Sequence, residues 1–175
     1  MIGSAHDDPE DIGISDFGHK VLERCFKLGI IPDISHASER MADDVLAAAG
    51  GRTVVASHSC AYSVNPHTRN LRDLHFIVMA KSGGLVGLCL YHKHVGGTED
   101  IIAVIEHIEH LLRLCSEARD TLCLGGDFDG GTPTPGLETI AALPKLAQAL
   151  LERGHSQETV DKIMWKNAAA KLSFA

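Results

Sequence analysis

The order of apolar segments most constrains the fold of this 175-residue chain, because strand-like and helix-like patterns alternate along it. Each strand-like run is short and apolar, and each is followed by an amphipathic pattern at helical spacing. The predicted strands are IIPDIS at 30–35, TVVAS at 53–57, LVGLCLY at 85–91 and TLCLGGDF at 121–128. Such alternation is typical of a parallel sheet built from right-handed βαβ units, so we predict an α/β fold with about four strands.

The predicted helices have recognisable ends. Ser15 is a suitable N-cap for a first helix that reaches Leu28 and stops at Gly29. Further helical patterns cover 38–49, about 71–80, a stretch from Thr98 to about Ser116, about 137–153 and 156–172. The segment GGTPTPG at 130–136 is typical of a long βα loop rather than of a linker, so we expect a single domain over residues 1–175.

Composition excludes several classes of partner. The chain has 16 Lys and Arg against 23 Asp and Glu, a net charge of -7, which argues against a nucleic-acid surface or a polybasic membrane contact. No apolar run approaches the roughly 18 residues of a membrane span, and MIGSAHDDPEDIG lacks the regions of a signal peptide. The five cysteines are odd in number and form no C-x-x-C pair, which favours reduced thiols. We therefore predict a cytoplasmic protein without nucleic-acid or membrane partners.

Chemically capable side chains follow every predicted strand. In chain order they are His36, His58, the group Tyr91, His92 and His94, and the pair Asp127 and Asp129. The βα loops of a parallel sheet converge at the carboxyl ends of its strands, and active sites of α/β proteins lie there. The sequence therefore predicts a site at this edge.

Metal-assisted chemistry suits these residues. His36 and His58 are one βα unit apart, so they can occupy neighbouring strand ends, where two imidazoles can share a zinc ion. Asp127 follows two glycines and is suited to act as a general base beside a metal. Arg69 offers a planar fork that matches a carboxylate. A single histidine at a strand end is more often structural, but His36, His58 and Asp127 together favour a functional site.

Other motifs receive plainer interpretations. His92-Lys93-His94 resembles a metal-binding pair, but an exposed polar loop explains it better. The residues His107 and His110 are interpreted as part of a solvated helix face. Asp127-Phe128-Asp129-Gly130 lacks the remaining ligands of a calcium loop, and nothing marks Cys60 as a stabilised thiolate.

Several stretches together resemble the membrane (renal) dipeptidase family of zinc metallopeptidases. They are GISDFGHKVLERCFKLGIIPDISHAS, VVASHSCAYSVNPHTRNL, GGDFDG and GLETIAALPKLAQALLERGHSQETVDKIMWKN. The resemblance covers nearly the whole chain, with the motifs in the family's order. It implies a TIM-like (β/α)₈ barrel, two zinc ions bridged by a carboxylate and a hydroxide, and hydrolysis of dipeptides, often with a D-residue at the carboxyl side.

The resemblance also implies roles for individual residues. His36 and His58 resemble the two histidines of the second zinc, Arg69 the arginine that holds the substrate carboxylate, and Asp127 the acid that moves the proton. The family's His-x-Asp pair for the first zinc, its bridging Glu and a further substrate-binding His have no counterpart here. The letters His6-Asp7-Asp8 fit such a pair, but no strand precedes them, and we interpret the match as a coincidence.

The chain thus resembles the carboxyl-terminal half of a barrel. Four strands of a closed barrel expose two sheet edges and an apolar inner face, so we expect self-association or pairing with a missing amino-terminal half. One hypothesis is a zinc dipeptidase, acting on a dipeptide substrate, that is inactive or incomplete as this chain and holds at most one partial zinc site. The alternative is a non-catalytic metal-binding or interaction domain derived from a dipeptidase.

Overall fold

The structure is a computed structural model that describes residues 1–98 and 100–172. Its α-helices are α1 Asp16–Lys27, α2 Glu39–Ala49, α3 Asp73–Lys81, α4 His92–Val95, α5 Ile101–Leu112, α6 Ala118–Thr121, α7 Leu143–Glu152, α8 Gln157–Asp161 and α9 Asn167–Leu172. A 3₁₀ turn, Ile140–Ala142, precedes α7, and a π-helical segment, Lys162–Lys166, joins α8 to α9. The strands are β1 Val55–Ala56, β2 Leu85–Leu88 and β3 Leu122–Leu124.

The strands form a parallel sheet in the order β1-β2-β3. Val55 pairs with Leu85 across the first pair of strands, and Gly87 with Cys123 across the second. Helix α3 connects β1 to β2, while α4, α5 and α6 connect β2 to β3. This order confirms the predicted α/β alternation.

Helix caps agree with the sequence in the first half of the chain. Ser15 and Ser38 cap α1 and α2 by accepting hydrogen bonds from the backbone N–H groups of Gly18 and Met41. The cap of α5 differs from the prediction, because Asp100 rather than Thr98 accepts the N-terminal N–H groups. Thr98 instead donates its hydroxyl hydrogen to Asp100.

The prediction of a first strand at 30–35 is wrong for most of its length. The segment forms one isolated parallel bridge, Asp33 with Val55, and the sheet has three strands rather than four. Pro32 has no N–H to donate to a ladder, and Ile30 and Ile31 are exposed, 53% and 39%. Two hydrogen bonds remain, Ile34 N–H to the Val55 carbonyl and Val55 N–H to the Pro32 carbonyl, and they hold the segment beside β1.

The core lies on both sides of the sheet. All four residues of β2 are buried, so the expected exposure of an apolar inner face is wrong for this strand. Exposed large apolar residues occur along the whole described chain, and four of them, Phe17, Leu28, Ile30 and Ile31, lie on or just after α1. Within the described ranges, none of the helices has the length and apolar character needed to cross a bilayer.

Candidate active site

The parallel bridge beside β1 brings the two predicted zinc ligands together. His36 lies three residues after Asp33, and His58 lies two residues after β1. The Nε2 atoms of the two imidazoles are 3.0 Å apart. Two nitrogens bound to one tetrahedral zinc ion at about 2.0–2.1 Å are themselves about 3.3 Å apart, so the spacing of this pair is close to that of a shared metal site.

Asp127 lies at the same edge, after β3. Its Oδ2 atom is 3.9 Å from Nε2 of His58. Glycines allow the strand ends to approach this closely, because a Cβ atom at Gly87 or Gly125 would overlap the carbonyl oxygen of Ser57, the residue before His58. Both glycines before Asp127 pack closely, Gly125 against the backbone of the neighbouring strand end and Gly126 against the ring of Phe128.

Backbone strain marks two of the predicted site residues. Among the described residues, His36 with φ 72° and Asp127 with φ 53° are the two non-glycine residues in the left-handed region. Histidine and aspartate enter this region more readily than most residues, yet each such position costs about 1–3 kcal/mol. Strain of this kind concentrates at functional sites, where the surrounding structure holds a side chain in a required direction.

A hydrogen-bonded network fixes the orientation of His58. Asp33 Oδ1 accepts hydrogen bonds from the backbone N–H groups of Ser35 and Ser57, at 2.9 and 3.0 Å. The hydroxyl oxygen of Ser35 accepts from the His58 N–H, and the hydroxyl of Ser57 is 2.8 Å from Nδ1 of His58. Because Nδ1 is engaged, Nε2 is turned towards His36. Burial opposes ionisation of Asp33, but its hydrogen bonds with Ser57 and Ser35 outweigh burial and lower its pKa.

Arg69 lies beneath the histidine pair, only 3% exposed. Its guanidinium donates to the Ser59 hydroxyl at 2.8 Å and to the His58 carbonyl at 2.7 Å, and neither group is an anion. Burial lowers the pKa of Arg69. The four predicted site residues are therefore neighbours, and a buried cation lies next to both imidazoles.

The electrostatics of the site favour neutral imidazoles. Burial, followed by the charge of Arg69, lowers the pKa of both His36 and His58 below the ordinary value of 6.5. Neutral imidazole is the form that binds metal ions. Both rings are thus in their ligand form at neutral pH without first losing a proton.

Three further histidines lie near this pair, and none of them was among the four predicted site residues. His6 lies 5.8 Å from His36 between ring centroids, and His67 lies 6.3 Å from His6 and 4.9 Å from His94. The backbone N–H of His6 donates to the carbonyl of His36, so the amino-terminal segment is attached to the site. A signal existed for His94, which follows a strand. The letters His6-Asp7-Asp8 fit a metal-binding pair, but the contacts that bring His6 to the site are with residues distant in sequence.

The interpretation of His94 as part of an exposed polar loop is wrong. The residue lies on the short helix α4 and is 8% exposed. Its Nδ1 is 3.6 Å from the Cys89 thiol, and its ring stacks edge-on against Tyr91. Burial, assisted by the charge of Arg69, lowers its pKa to about 3.

The solvated-face interpretation is also wrong for His107. This side chain is fully buried, with Nδ1 accepting from the Ala61 N–H at 3.1 Å and Nε2 donating to the Val95 carbonyl at 2.9 Å. His110 lies nearer the surface and pairs with Asp73 at 2.8 Å. Cys60 is buried, and burial raises the pKa of its thiol, which argues against a nucleophile.

The model of the membrane dipeptidase family, peptidase family M19, matches residues 2–170. This chain belongs to that family. An uncharacterized protein in the pqqA 5′ region of Klebsiella pneumoniae is 31% identical over 161 residues, which are 89% of this chain and 58% of that protein. The chain thus spans less than two thirds of the length of this curated relative.

Solved structures of the family agree in fold. The crystal structure of dipeptidase AC, a metallopeptidase of family M19, superposes with a TM-score of 0.84 at 30% identity, covering 97% of this chain and 49% of that one. A metallopeptidase from Rhodobacter sphaeroides, liganded with a phosphinate mimic of the dipeptide L-Ala-D-Ala, gives 0.82 at 30% identity, covering 97% and 48%. Both matches confirm the predicted family, and this chain corresponds to about half of each structure.

Proposed function

We propose that this chain is the carboxyl-terminal half of a TIM-like (β/α)₈ barrel, a single partial domain over residues 1–175, that contributes to a zinc-dependent dipeptidase. The observation that supports this most directly is the pair of Nε2 atoms of His36 and His58, 3.0 Å apart at the edge of the sheet. Family membership supplies the class of reaction, hydrolysis of a dipeptide.

The donor set suits zinc in part. Two neutral imidazoles with converging nitrogens, one of them oriented by Ser57, are ligands of the kind and spacing that zinc takes. Among residues 1–98 and 100–172, however, no group of three or more His, Cys, Asp or Glu side chains is arranged around a common metal position. Structural and catalytic zinc sites use at least three protein ligands, so we expect this chain alone to bind zinc weakly.

Asp127 is proposed as the group that moves the proton. Zinc, when bound, supplies Lewis acidity for the attack of water on the peptide carbonyl. Asp127 Oδ2 lies 3.9 Å from Nε2 of His58, close enough to accept a proton from a reactant held beside the two histidines. Its left-handed backbone directs the carboxylate from the end of β3.

Arg69 is proposed as the group that recognises the carboxylate of the substrate. Its guanidinium is buried and bonded to a hydroxyl and a carbonyl, so its positive charge is compensated by no neighbouring carboxylate in these bonds. Placing a negative group beside a buried cation is favourable. The terminal carboxylate of a dipeptide is such a group, and the arginine fork matches it.

A half barrel requires a partner, and we propose a missing amino-terminal half or a second copy of this chain. Exposed apolar residues at α1 support this, because Phe17, Leu28 and Ile30 line one open surface depression there. The alternative function, a non-catalytic domain derived from a dipeptidase, is favoured by the same incomplete ligand set.

A paired zinc titration and hydrolysis assay separates the two functions. The 175-residue chain is titrated with zinc and assayed with L-Ala-D-Ala, alone and together with the amino-terminal half of a homologous dipeptidase. We expect weak zinc binding and no turnover for the chain alone, and turnover when the other half is supplied. Robust hydrolysis by the isolated chain would contradict the partial-site proposal, and a folded, zinc-loaded complex without turnover would favour the non-catalytic domain.

A further inference from the structure

A small cavity lies behind the arginine of the candidate site, between α2, the start of α3 and the loop that precedes α3. Its volume is about 90 Å³, and Arg69, Asn70 and His75 contribute to its wall. All three are more than nine-tenths buried, at 3%, 7% and 4% exposed. The cavity is separate from the His36 and His58 pair, neither of which lines it.

Four buried side-chain nitrogen and oxygen atoms of the described residues have no hydrogen-bond partner, and three of the four belong to these wall residues. These three are Nε of Arg69, Oδ1 of Asn70 and Nδ1 of His75. A buried polar group without a partner costs free energy, and native proteins avoid it almost everywhere. Three such atoms on residues that line one cavity indicate that something in the cavity bonds to them.

The neighbouring bonds fix what each of these atoms offers. The amide nitrogen of Asn70 donates to the carbonyls of Asn65 and His94, at 2.9 and 2.8 Å, so Oδ1 is left as an acceptor. Nε2 of His75 lies 2.9 Å from the Asp43 carboxylate, which can only accept, so Nε2 carries a hydrogen, and in the Nε2–H tautomer Nδ1 is also an acceptor. The Nε–H group of Arg69 is a donor.

One donor and two acceptors select the chemistry of the occupant. An anion accepts hydrogen bonds and satisfies only Arg69, a metal cation satisfies only the two acceptors, and an apolar molecule satisfies none of the three. Water both donates and accepts, and one molecule needs only about 10–15 Å³ of cavity. The cavity therefore has room for more than one water molecule.

The rim of the cavity favours slow exchange of such water. Arg72 lies over the Tyr62 ring, 3.4 Å from its centroid, and forms an ion pair with Glu39 at 2.5 Å. All three residues line the cavity. These contacts hold part of the cavity wall in place, and we expect them to slow the exchange of water with bulk solvent.

We propose that this cavity is an internal hydration site whose water joins Arg69 Nε to Asn70 Oδ1 and His75 Nδ1. The hydration is a property of the fold and goes beyond the proposed function. One consequence rests on that function: His75 is a positioning residue, which acts through water on the guanidinium proposed to bind the substrate carboxylate.

Oxygen-17 relaxation dispersion of water in solutions of the full chain tests the hydration, because it counts water molecules that stay bound longer than the protein takes to tumble. His75→Phe removes the acceptor and fills space, and we expect it to lower the count by at least one molecule. His110→Phe is the matched control, since His110 also pairs with a helix aspartate but does not line the cavity, and it should leave the count unchanged. Equal counts in the parent and a folded His75→Phe variant would overturn the proposal.

A second measurement uses the parent protein and so does not depend on folding of the variant. The Nε–H signal of Arg69, assigned by its loss in Arg69→Lys, should show magnetisation transfer from long-lived water in nitrogen-15 spectra. His75→Gln, which keeps an acceptor, should preserve this transfer. Absence of transfer in the parent would overturn the proposal, whether or not the assembled enzyme is active. Transfer in a chain that gives no turnover even with an amino-terminal half would count against the proposed function alone.

Discussion

The histidines at the strand ends and those on helix α5 are the same residue type in opposite circumstances. His107 is fully buried, with each ring nitrogen bonded to one backbone group, and His110 is bonded to Asp73. His36 and His58 face each other through their Nε2 atoms, without a carboxylate or carbonyl bonded to either atom in the described structure. The difference teaches that a histidine bonded to backbone groups or a carboxylate stabilises the fold, whereas two imidazoles whose Nε2 atoms are bonded to each other can exchange that contact for a ligand.

On the side of the strand-end histidines, the largest expected effect is a loss of catalytic rate on substitution of Asp127. In a complete enzyme, assembled with an amino-terminal half, Asp127→Asn should lower kcat by about 10²–10⁴-fold because the amide cannot accept the proton. Zinc content, measured by atomic absorption, should stay unchanged, since Asp127 is proposed as a base and not as a ligand. Loss of zinc from this variant would make Asp127 a ligand instead.

The next largest expected effect is a loss of folding stability when the buried histidine of helix α5 is replaced. His107→Leu should lower the free energy of unfolding by about 2–4 kcal/mol, because the Ala61 N–H and the Val95 carbonyl lose their buried partner. Urea denaturation followed by circular dichroism measures this. The matched variant His110→Leu, at a partly exposed position, should cost less than half as much. Equal losses in the two variants would remove the distinction between the buried and the surface histidine.

The sequence predicted which residues lie close together better than it predicted the number of strands. His36, His58 and Asp127 were predicted from their places after strands, and Arg69 from the loop that follows His58. The four are neighbours in the structure, because the βα order determines which strand ends meet at one edge, while their roles stay predictions. The prediction of the first strand was wrong because the strand propensity of IIPDIS does not show that Pro32 interrupts the hydrogen-bonded ladder. Nor does it show that Ile30 and Ile31 lie at the surface. His6, the positive φ of His36 and the burial of His107 depend on contacts distant in sequence, which periodicity does not encode.

The dependence of stability on pH tests whether the fold keeps His94, beside the candidate site, in its neutral form. Because the pKa of His94 is lowered from 6.5 to about 3, chiefly by burial, the unfolded chain binds the proton first and stability falls as the pH falls below 6.5. Its contribution to this fall is about 1.4 kcal/mol per pH unit, or about 2 kcal/mol between pH 6.5 and pH 5. Denaturation at the two pH values should show a smaller loss in His94→Gln than in the parent. An unchanged pH dependence in His94→Gln would refute this.

The smallest effect is expected from the orientation of His58. Ser57→Ala removes the hydroxyl beside Nδ1, so the ring loses its fixed direction, and zinc affinity should fall by about 10-fold, the lower end of the effect of outer-shell partners. Competition with a chromophoric chelator measures the change. Ser63→Ala, in the following loop and outside this network, is the control. An affinity in Ser57→Ala that matches the control would show that the hydroxyl does not orient the ligand.

The central claim is that the nitrogen pair of His36 and His58 binds zinc while the α5 histidines do not. Zinc titration of the parent, His36→Ala, His58→Ala and His110→Ala, each verified as folded by circular dichroism, tests this claim most directly. We predict weak binding of one zinc ion in the parent and in His110→Ala. Zinc affinity should fall by about 100-fold or more in His36→Ala and in His58→Ala, because a single remaining imidazole cannot hold the metal. A zinc affinity equal to that of the parent in both His36→Ala and His58→Ala would contradict the account.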